Sequence, residues 1–460
     1  MRKNIRLILI LGLIIINWEF IYAQKLNPEL VELINNGINK SHEKKINLFT
    51  IQQVQLDKKR LWENYIPELS LTASYSRLND DIILNDNLEK LLMGTQALLI
   101  KEAYGIPFNA ALPPQIHLNP IPPIQDKDIL KSSLDLQSLI FSGFKIKTAY
   151  KSLDHKQKAM EYLQLSKDEN LVREIIQKYY QLALLSSTNN VLNTTEEFLD
   201  KQSEYVVKAK KNGLAIDLDL QKIALAQQKL KIKKLEVKQK KQLLLSALSQ
   251  TTGLSVEELK KLNYNIQFFV LRTSKINNAE RNELKALKEK IKAYDYKKKM
   301  ELTSYMPKIM AKAHYELLED DLTILDPKWY IGVGLKWNIF DGFKAYNRAQ
   351  KSQLEIDKTL EKFKQAKEMI SLEKQQAKYK YETSIKKIDL SNQQVKLARY
   401  TYDLTKKQYL NGLVSITDLL KSITDLEIAK LKYQQALYEE NINAINYLKS
   451  NGNLLKLIKN

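Results

Sequence analysis

The chain has 460 residues, among them 12 Gly, 10 Pro and no Cys, and 73 Lys+Arg against 53 Asp+Glu give it a formal charge of +20. Without cysteine there is no disulfide scaffold, thiolate metal site, cysteine nucleophile or lipid attached through an N-terminal cysteine. The charge suits nucleic acid or anionic lipid, and equally the solvated faces of long Lys-rich helices; length alone would allow two to four ordinary domains.

At the N-terminus, Arg2, Lys3 and Arg6 precede an apolar run from Leu7 to Ile16 broken only by Gly12, and Ala23 offers a small residue for a signal peptidase. Residues 1–23 therefore read as a cleaved secretory signal, too short to span a bilayer. Export argues against nucleic acid as a partner. No later segment has ~18 consecutive apolar residues, so residence of the mature chain in a membrane would require a β-barrel.

Strand signals cluster in two places. After Tyr65-Ile66-Pro67, the residues Leu69, Leu71, Ala73 and Tyr75 alternate with polar ones. After Tyr305-Met306-Pro307, Ile309, Ala311, Ala313, Tyr315 and Leu317 do the same, followed by Trp329, Ile331, Val333, Leu335, Trp337 and Ile339. A less regular strand runs from Leu134 to Phe141. Such two-faced segments with aromatic ends fit transmembrane β-strands, although a soluble sheet has the same alternation. His314 falls on the polar face. Residues 78–130 hold six of the ten prolines and are expected to be irregular.

Residues 124–306 and 328–460 contain no proline, and 145–211 and 344–410 contain neither Gly nor Pro. Both are expected to be long helices, ~100 Å if unbroken at 1.5 Å per residue. In the helix expected after Asn212-Gly213, Ile223, Leu230, Val237 and Leu244 recur every seven residues beside Leu218, Leu225 and Ile232, a coiled-coil period. After Asn411-Gly412, Leu419, Leu426, Tyr433 and Tyr447 share a heptad position that Glu440 interrupts.

Internal repetition orders these pieces. Gly143/Gly342, Gly213/Gly412 and Gly253/Gly452 are each 199 residues apart, and Phe141-Ser142-Gly143-Phe144-Lys145 recurs as Phe340-Asp341-Gly342-Phe343-Lys344. The two Tyr-x-Pro strand entries are instead 240 apart. Four strands cannot close a barrel, and an open edge is not tolerated in lipid, so a membrane sheet of this size must be completed by further copies.

In this order the motifs resemble the TolC-type outer-membrane efflux proteins: the strand-entry prolines, the strand exits at Gly143 and Gly342, the turns Asn212-Gly213-Leu214 and Asn411-Gly412-Leu413-Val414-Ser415-Ile416-Thr417-Asp418, Arg281-Asn282-Glu283-Leu284, and Leu448-x3-Gly452. The resemblance implies a mainly α protein with a membrane β-barrel part, built from two tandem repeats. Residues 24–253 would be the first, with strands at about 67–77 and 131–142 and helices at 145–211 and 214–249. Residues 254–460 would be the second, with strands at about 307–317 and 328–341 and helices at 344–410 and 413–449. It further implies a homotrimer whose 12-stranded barrel in the outer-membrane lipid continues into a helical tube across the periplasm. Residues 254–280 would lie in a belt around that tube with the two termini.

The implied function is passage, with no enzymatic chemistry, cofactor, catalytic residue or metal. The chain would be the channel of a tripartite efflux system with a periplasmic adaptor (membrane fusion) protein and an inner-membrane pump, or alternatively the exit duct of a type I protein secretion system. Gly213, Leu214, Gly412, Leu413 and Ser415 would form the adaptor-docking turns, although the glycines are equally ordinary helix caps. Asp418 and its repeat mate Asp219 would stand at the aperture. Lys222 and Lys421, where some members carry a second carboxylate, depart from the family pattern, and Lys421 could pair with Asp418 instead. A secreted coiled-coil protein outside the membrane is the rival reading, and it leaves the amphipathic strands without a purpose.

Overall fold

A computed structural model describes residues 26–266, 271, 279–318 and 327–459. The expected signal, 1–23, lies outside them, as does much of 267–278 and of the second hairpin connection. In chain order the elements are α1 (Pro28–Lys40), α2 (His42–Glu63), β1 (Glu68–Arg77), α3 (Asp86–Ala103), β2 (Asp128–Phe141), α4 (Lys145–Lys211), α5 (Asp217–Thr252), α6 (Val256–Lys261), α7 (Asn282–Leu302), β3 (Lys308–Glu316), β4 (Trp329–Lys336), α8 (Lys344–Leu410), α9 (Ile416–Ser450) and α10 (Lys456–Lys459). Among the described residues no helix is long and apolar enough to cross a membrane. The chain forms two compact units: the described residues up to Gln53 with His155–Ile291 and Asp357 onward, and Val54–Asp154 with Lys292–Ile356. Each draws on both sequence repeats.

The second unit holds one antiparallel sheet in the order β1-β2-β3-β4. Its register obeys the two offsets of the sequence: Glu68↔Gln137 and Leu69↔Leu136 in the first hairpin become Lys308↔Lys336 and Ile309↔Leu335 in the second. The junctions with the helices repeat too. Tyr65 Oη lies 3.0 Å from Ser142 Oγ, as Tyr305 Oη lies 3.0 Å from Asp341 Oδ1. At each exit a Gly-Phe pair adopts positive φ, Gly143 and Phe144 at 62° and 64°, Gly342 and Phe343 at 67° and 62°. A left-handed Phe is strained, and it recurs because two successive positive φ values swing the chain from strand into helix. A Cβ on Gly143 would lie 2.7 Å from Met306 Cβ, whereas one on Gly342 would meet nothing within 4 Å.

Two expectations change here. The 78–130 connection is not irregular throughout, because α3 occupies it, started by Asn85, whose Oδ1 accepts from the Asn87 amide at 2.7 Å. Leu88, Leu91, Leu92, Leu98 and Leu99 all remain exposed on it. Proline punctuates only the second half of this connection, leaving room for a full helix before it. β4 also ends at Lys336 rather than near 341. Trp337 leaves the ladder and donates from Nε1 to the Tyr305 carbonyl at 2.9 Å.

In the first unit the main core joins α1 (Leu30, Leu33, Ile34), α4 (Val172, Ile175, Ile176, Leu182), α5 (Leu245, Leu248), Leu259 and the C-terminal Leu448 and Leu454. Gly37 lets α1 cross α4 closely, since a Cβ there would run into Ile175 Cδ1. Tyr179 ties the layers, its hydroxyl accepting from Asn27 Nδ2 and donating to the Asn263 carbonyl, both at 3.1 Å. The heptad pattern is half spent within the chain. Ile223 and Leu230 are buried in a second core with Leu419, Ile423 and Leu426, while Leu218, Leu225 and Ile232 stay exposed.

A buried charged cluster sits at the start of α7. Arg281 pairs with Glu283 at 2.6 Å and with Glu373, and Asn282 Nδ2 donates to Glu169 Oε1 at 3.0 Å. Glu169 is only 2% exposed. Burial, and then Glu283 beside it, push its carboxyl up to about 7 from 4.5. The folded chain thus holds this proton more tightly than the unfolded one, so the contribution favours folding in acid and is lost as pH rises from about 4.5 to about 7. Glu169→Gln keeps the Asn282 contact without the charge. It is expected to raise the melting temperature by several degrees at pH 8, for a gain on the order of 3 kcal/mol at most, and to change little near pH 4.5. Equal shifts at both pH values would show that no titration at Glu169 is involved.

Candidate functional site

Two places gather the residues singled out from the sequence, the helix–helix turns and the polar face of the sheet. The turns are built alike. α4 ends at Lys211 and Gly213 takes φ 72°; α8 ends at Leu410 and Gly412 takes φ 74°. A Cβ on either glycine would meet nothing within 4 Å, so glycine is there for the left-handed backbone and not for space. The next residues turn outward: Leu214 is 79% exposed and Leu413 72%. Among the described residues nothing covers either leucine, so each turn presents an exposed apolar side chain.

The two turns then start their returning helices with different quality. Ser415 forms a full capping box: its hydroxyl accepts from the Asp418 amide at 3.2 Å, and Asp418 Oδ2 accepts from the Ser415 amide at 3.1 Å and hydroxyl at 2.6 Å. That hydroxyl, and next the amide, hold the Asp418 carboxyl below its usual range. In the other turn Ile216 has no acceptor, and Asp219 Oδ2 takes only the Ile216 amide, at 3.3 Å. The chain here instead adds an ion pair between Lys210 and Asp217.

Asp418 and Lys421 form no salt bridge among the described residues, although the Lys421 charge also favours the ionised Asp418 carboxylate. One carboxylate oxygen of Asp418 is spent on its own helix start, and Lys421 makes no salt bridge among the described residues. Lys222 finds a partner from the other repeat, donating from Nζ to Thr417 Oγ1 at 2.9 Å. Lys222 and Lys421 line one groove of about 570 Å³ with Lys229, Lys233, Leu225 and the buried Glu427, which Lys233 engages at 2.5 Å. Identical spacing in the two repeats could not reveal the Lys222–Thr417 bond, since it joins residues 195 apart that only helix packing brings together.

The sheet has one apolar and one polar face. Leu69, Leu71 and Tyr75 of β1, Leu130 and Leu136 of β2, Tyr315 of β3 and Trp329, Ile331, Val333 and Leu335 of β4 share the first, all exposed, Ile331 by 76%. The other carries Ser70, Thr72 and Ser74, then Asp135 and Gln137, then Lys308, Lys312, His314 and Glu316, then Tyr330, Gly332, Gly334 and Lys336. There His314 Nδ1 lies 2.9 Å from Asp135 Oδ1 and Nε2 lies 3.3 Å from Glu316 Oε2, with the ring stacked on Tyr330 at 5.1 Å. Among the described residues no cluster of His, Asp and Glu is arranged to hold a metal ion. Lys308 and Lys336, directly opposite each other, were not singled out from sequence; the 240- and 199-residue offsets, applied to Glu68 and to Gln137, would have paired them.

The comparisons with known proteins agree with this geometry. Residues 276–450 match the family model described as outer membrane efflux protein. The fold is similar to that of the outer membrane protein VceC of Vibrio cholerae, at 14% identity and a TM-score of 0.70 over 92% of this chain and 96% of that one. It is similar also to the CmeC outer membrane channel of Campylobacter jejuni, at 16% identity and 0.70 over 95% and 90%, and to the MtrE outer membrane channel of Neisseria gonorrhoeae, at 13% identity and 0.68 over 93% and 90%. No curated protein matches at the sequence level. Residues 276–450 thus match the outer membrane efflux protein family, within a chain whose fold is that of these solved outer membrane channels.

Proposed function

We propose that three copies of this chain form the outer-membrane duct of a tripartite efflux system, passing small molecules from an inner-membrane pump and its periplasmic adaptor to the exterior. Each copy contributes two tandem units, residues 24–253 and 254–460, and acts as a conduit without bond chemistry. The observation that carries the reading is the sheet: most of its apolar face is exposed, and β1 and β4 have free outer edges. In hydrocarbon the face is satisfied by lipid, but the edges need strand partners, which only other copies can supply.

The repeat says how the copies join. Within the chain, β2 and β3 pair as Ser133↔Glu316 through Phe141↔Ile309. Moving β2 forward by 199 and β3 back by 240 residues turns that pairing into β4 against β1 of the next copy, with Gly334 opposite Ser74, Leu335 opposite Ala73 and Lys336 opposite Thr72. Polar residues then meet polar and apolar meet apolar. The same operation sets Gly342 against Ile66 and Pro67 of the next copy, as Gly143 abuts Met306 and Pro307 here, which accounts for the empty space over Gly342.

Opposed residues have Cβ atoms about 4.5–5.5 Å apart, close to disulfide reach. The chain has no cysteine of its own, so Ser74→Cys with Gly334→Cys should give oxidation-dependent, heat-modifiable trimers in outer-membrane fractions, and Ser70→Cys with Gly334→Cys should not. Cross-linking by the second pair alone would refute the register. A chain recovered wholly from the soluble periplasm would refute the barrel.

For the turns, Gly213, Leu214, Gly412, Leu413 and Ser415 are the adaptor-docking surface, with the two exposed leucines as its apolar anchors. Asp418 and Asp219 stand near the closed aperture. Leu214→Asp with Leu413→Asp is expected to abolish drug efflux in cells while leaving trimer levels unchanged; loss of a secreted protein with intact drug efflux would mark the type I secretion duct instead. Asp418→Ala should raise the resting conductance of the channel in planar bilayers, and unchanged closure and selectivity would rule out an aperture role.

A further inference from the structure

We infer that Lys308, Lys336 and Lys312 form an anion-attracting zone inside the barrel, at the end of the sheet that joins the helices, so that the duct favours anionic solutes. This rests on the channel reading above, in which the polar face of the sheet lines the lumen.

Lys308 and Lys336 are directly opposed in the β3–β4 ladder and point to the same face. Like charges so placed destabilise a sheet, typically by a few tenths of a kcal/mol to 1 kcal/mol. The fold itself does not ask for them. At the same position in the first hairpin the pair is Glu68 and Gln137, on a register that matches residue for residue. Among the described residues, the side chains of Lys308 and Lys336 make no ion pair or hydrogen bond, and Lys312 makes neither but lies within electrostatic reach of Asp135.

Nearby carboxylates are already committed. Asp341 accepts from Tyr305 Oη at 3.0 Å and from the Ala345 amide at 2.8 Å, and Glu301 is held by Arg348 at 2.7 Å. Farther along the strands, Asp135 and Glu316 both engage His314. The strand opposite leaves the lysines uncovered, since Lys312 faces Gly332, and Gly334 follows on the same face with nothing over either glycine.

Closing the barrel does not neutralise the zone. The repeat-derived register puts Thr72 of the next copy opposite Lys336 and brings no carboxylate there. Three lysines per copy stand against Glu68 and Asp135, the second of these already engaged by His314. Rings of charged side chains facing a lumen bind and pass ions of the opposite sign, and low-dielectric walls focus their field.

The test uses the purified full-length trimer in planar bilayers under a potassium chloride gradient. The zero-current potential is expected to show preference for chloride. Lys308→Gln with Lys336→Gln should lower the chloride-to-potassium permeability ratio by about threefold or more, while Lys308→Arg with Lys336→Arg keeps it. Heat-modifiable migration reports assembly of each variant. Should the double Gln variant fail to assemble, Lys312→Gln, whose side chain faces a glycine, must lower the ratio by itself. A ratio unmoved by these substitutions in a conducting channel overturns the lysine assignment alone. Assembled trimers with no conductance would strike down the channel reading as well.

Discussion

A β-sheet whose outer face is apolar can rest in hydrocarbon only if every strand edge finds a partner, because no water is present to satisfy the free amides and carbonyls. The four strands of this chain meet the first condition and not the second. The alternation of Leu, Ile, Val and Trp with polar residues and the free edges of β1 and β4 are the two sides of that shortfall, which the proposed assembly of further copies would make good. The exposed stripe Leu218, Leu225 and Ile232 on α5 is a similar debt in water, since apolar side chains at heptad spacing call for a neighbouring helix.

Repetition makes the shortfall solvable. One unit used twice supplies a hairpin whose exit glycine, Gly143, seats against the strand entry of the next hairpin at Met306, and in the proposed assembly the same contact would fill the space open at Gly342. The strained Phe144 and Phe343 belong to the same joint. Strain at a non-glycine left-handed residue costs of order 1 kcal/mol or more and persists only where the surroundings force it. Its recurrence in both repeats points to a turn that the strand-to-helix transition cannot do without.

Charge is distributed by role. On the helices most lysines are solvated or lie beside carboxylates, and they account for most of the net +20 without implying a ligand. In the groove beside the turns, Lys222 bridges to Thr417 and Lys233 to Glu427, so charge there holds helices together. The sheet separates the two uses: His314, Asp135 and Glu316 answer one another, while Lys308 and Lys336 do not.

The long helices, the strand faces, the turn glycines and the order of the repeats were legible in the sequence, since each depends on local rules: proline and glycine avoidance, period-two alternation, positive φ after a helix. Even the strand register was implicit, because the 240- and 199-residue offsets turn Glu68↔Gln137 into Lys308↔Lys336. What only tertiary structure decided depends on atoms distant in the chain or on competition between neighbours. The Asp418 carboxylate faced a choice between Lys421 and its own helix start, and Ser415 beside it won because its hydroxyl and amide lie in fixed range while lysine must freeze a long side chain. Burial raised Glu169 and left Leu218 bare although both sit on helices of ordinary composition. α3 grew within a segment dense in proline because its prolines come late. The sequence alone determined which backbone each stretch could adopt; packing across the chain determined which side chains were buried and which were left exposed.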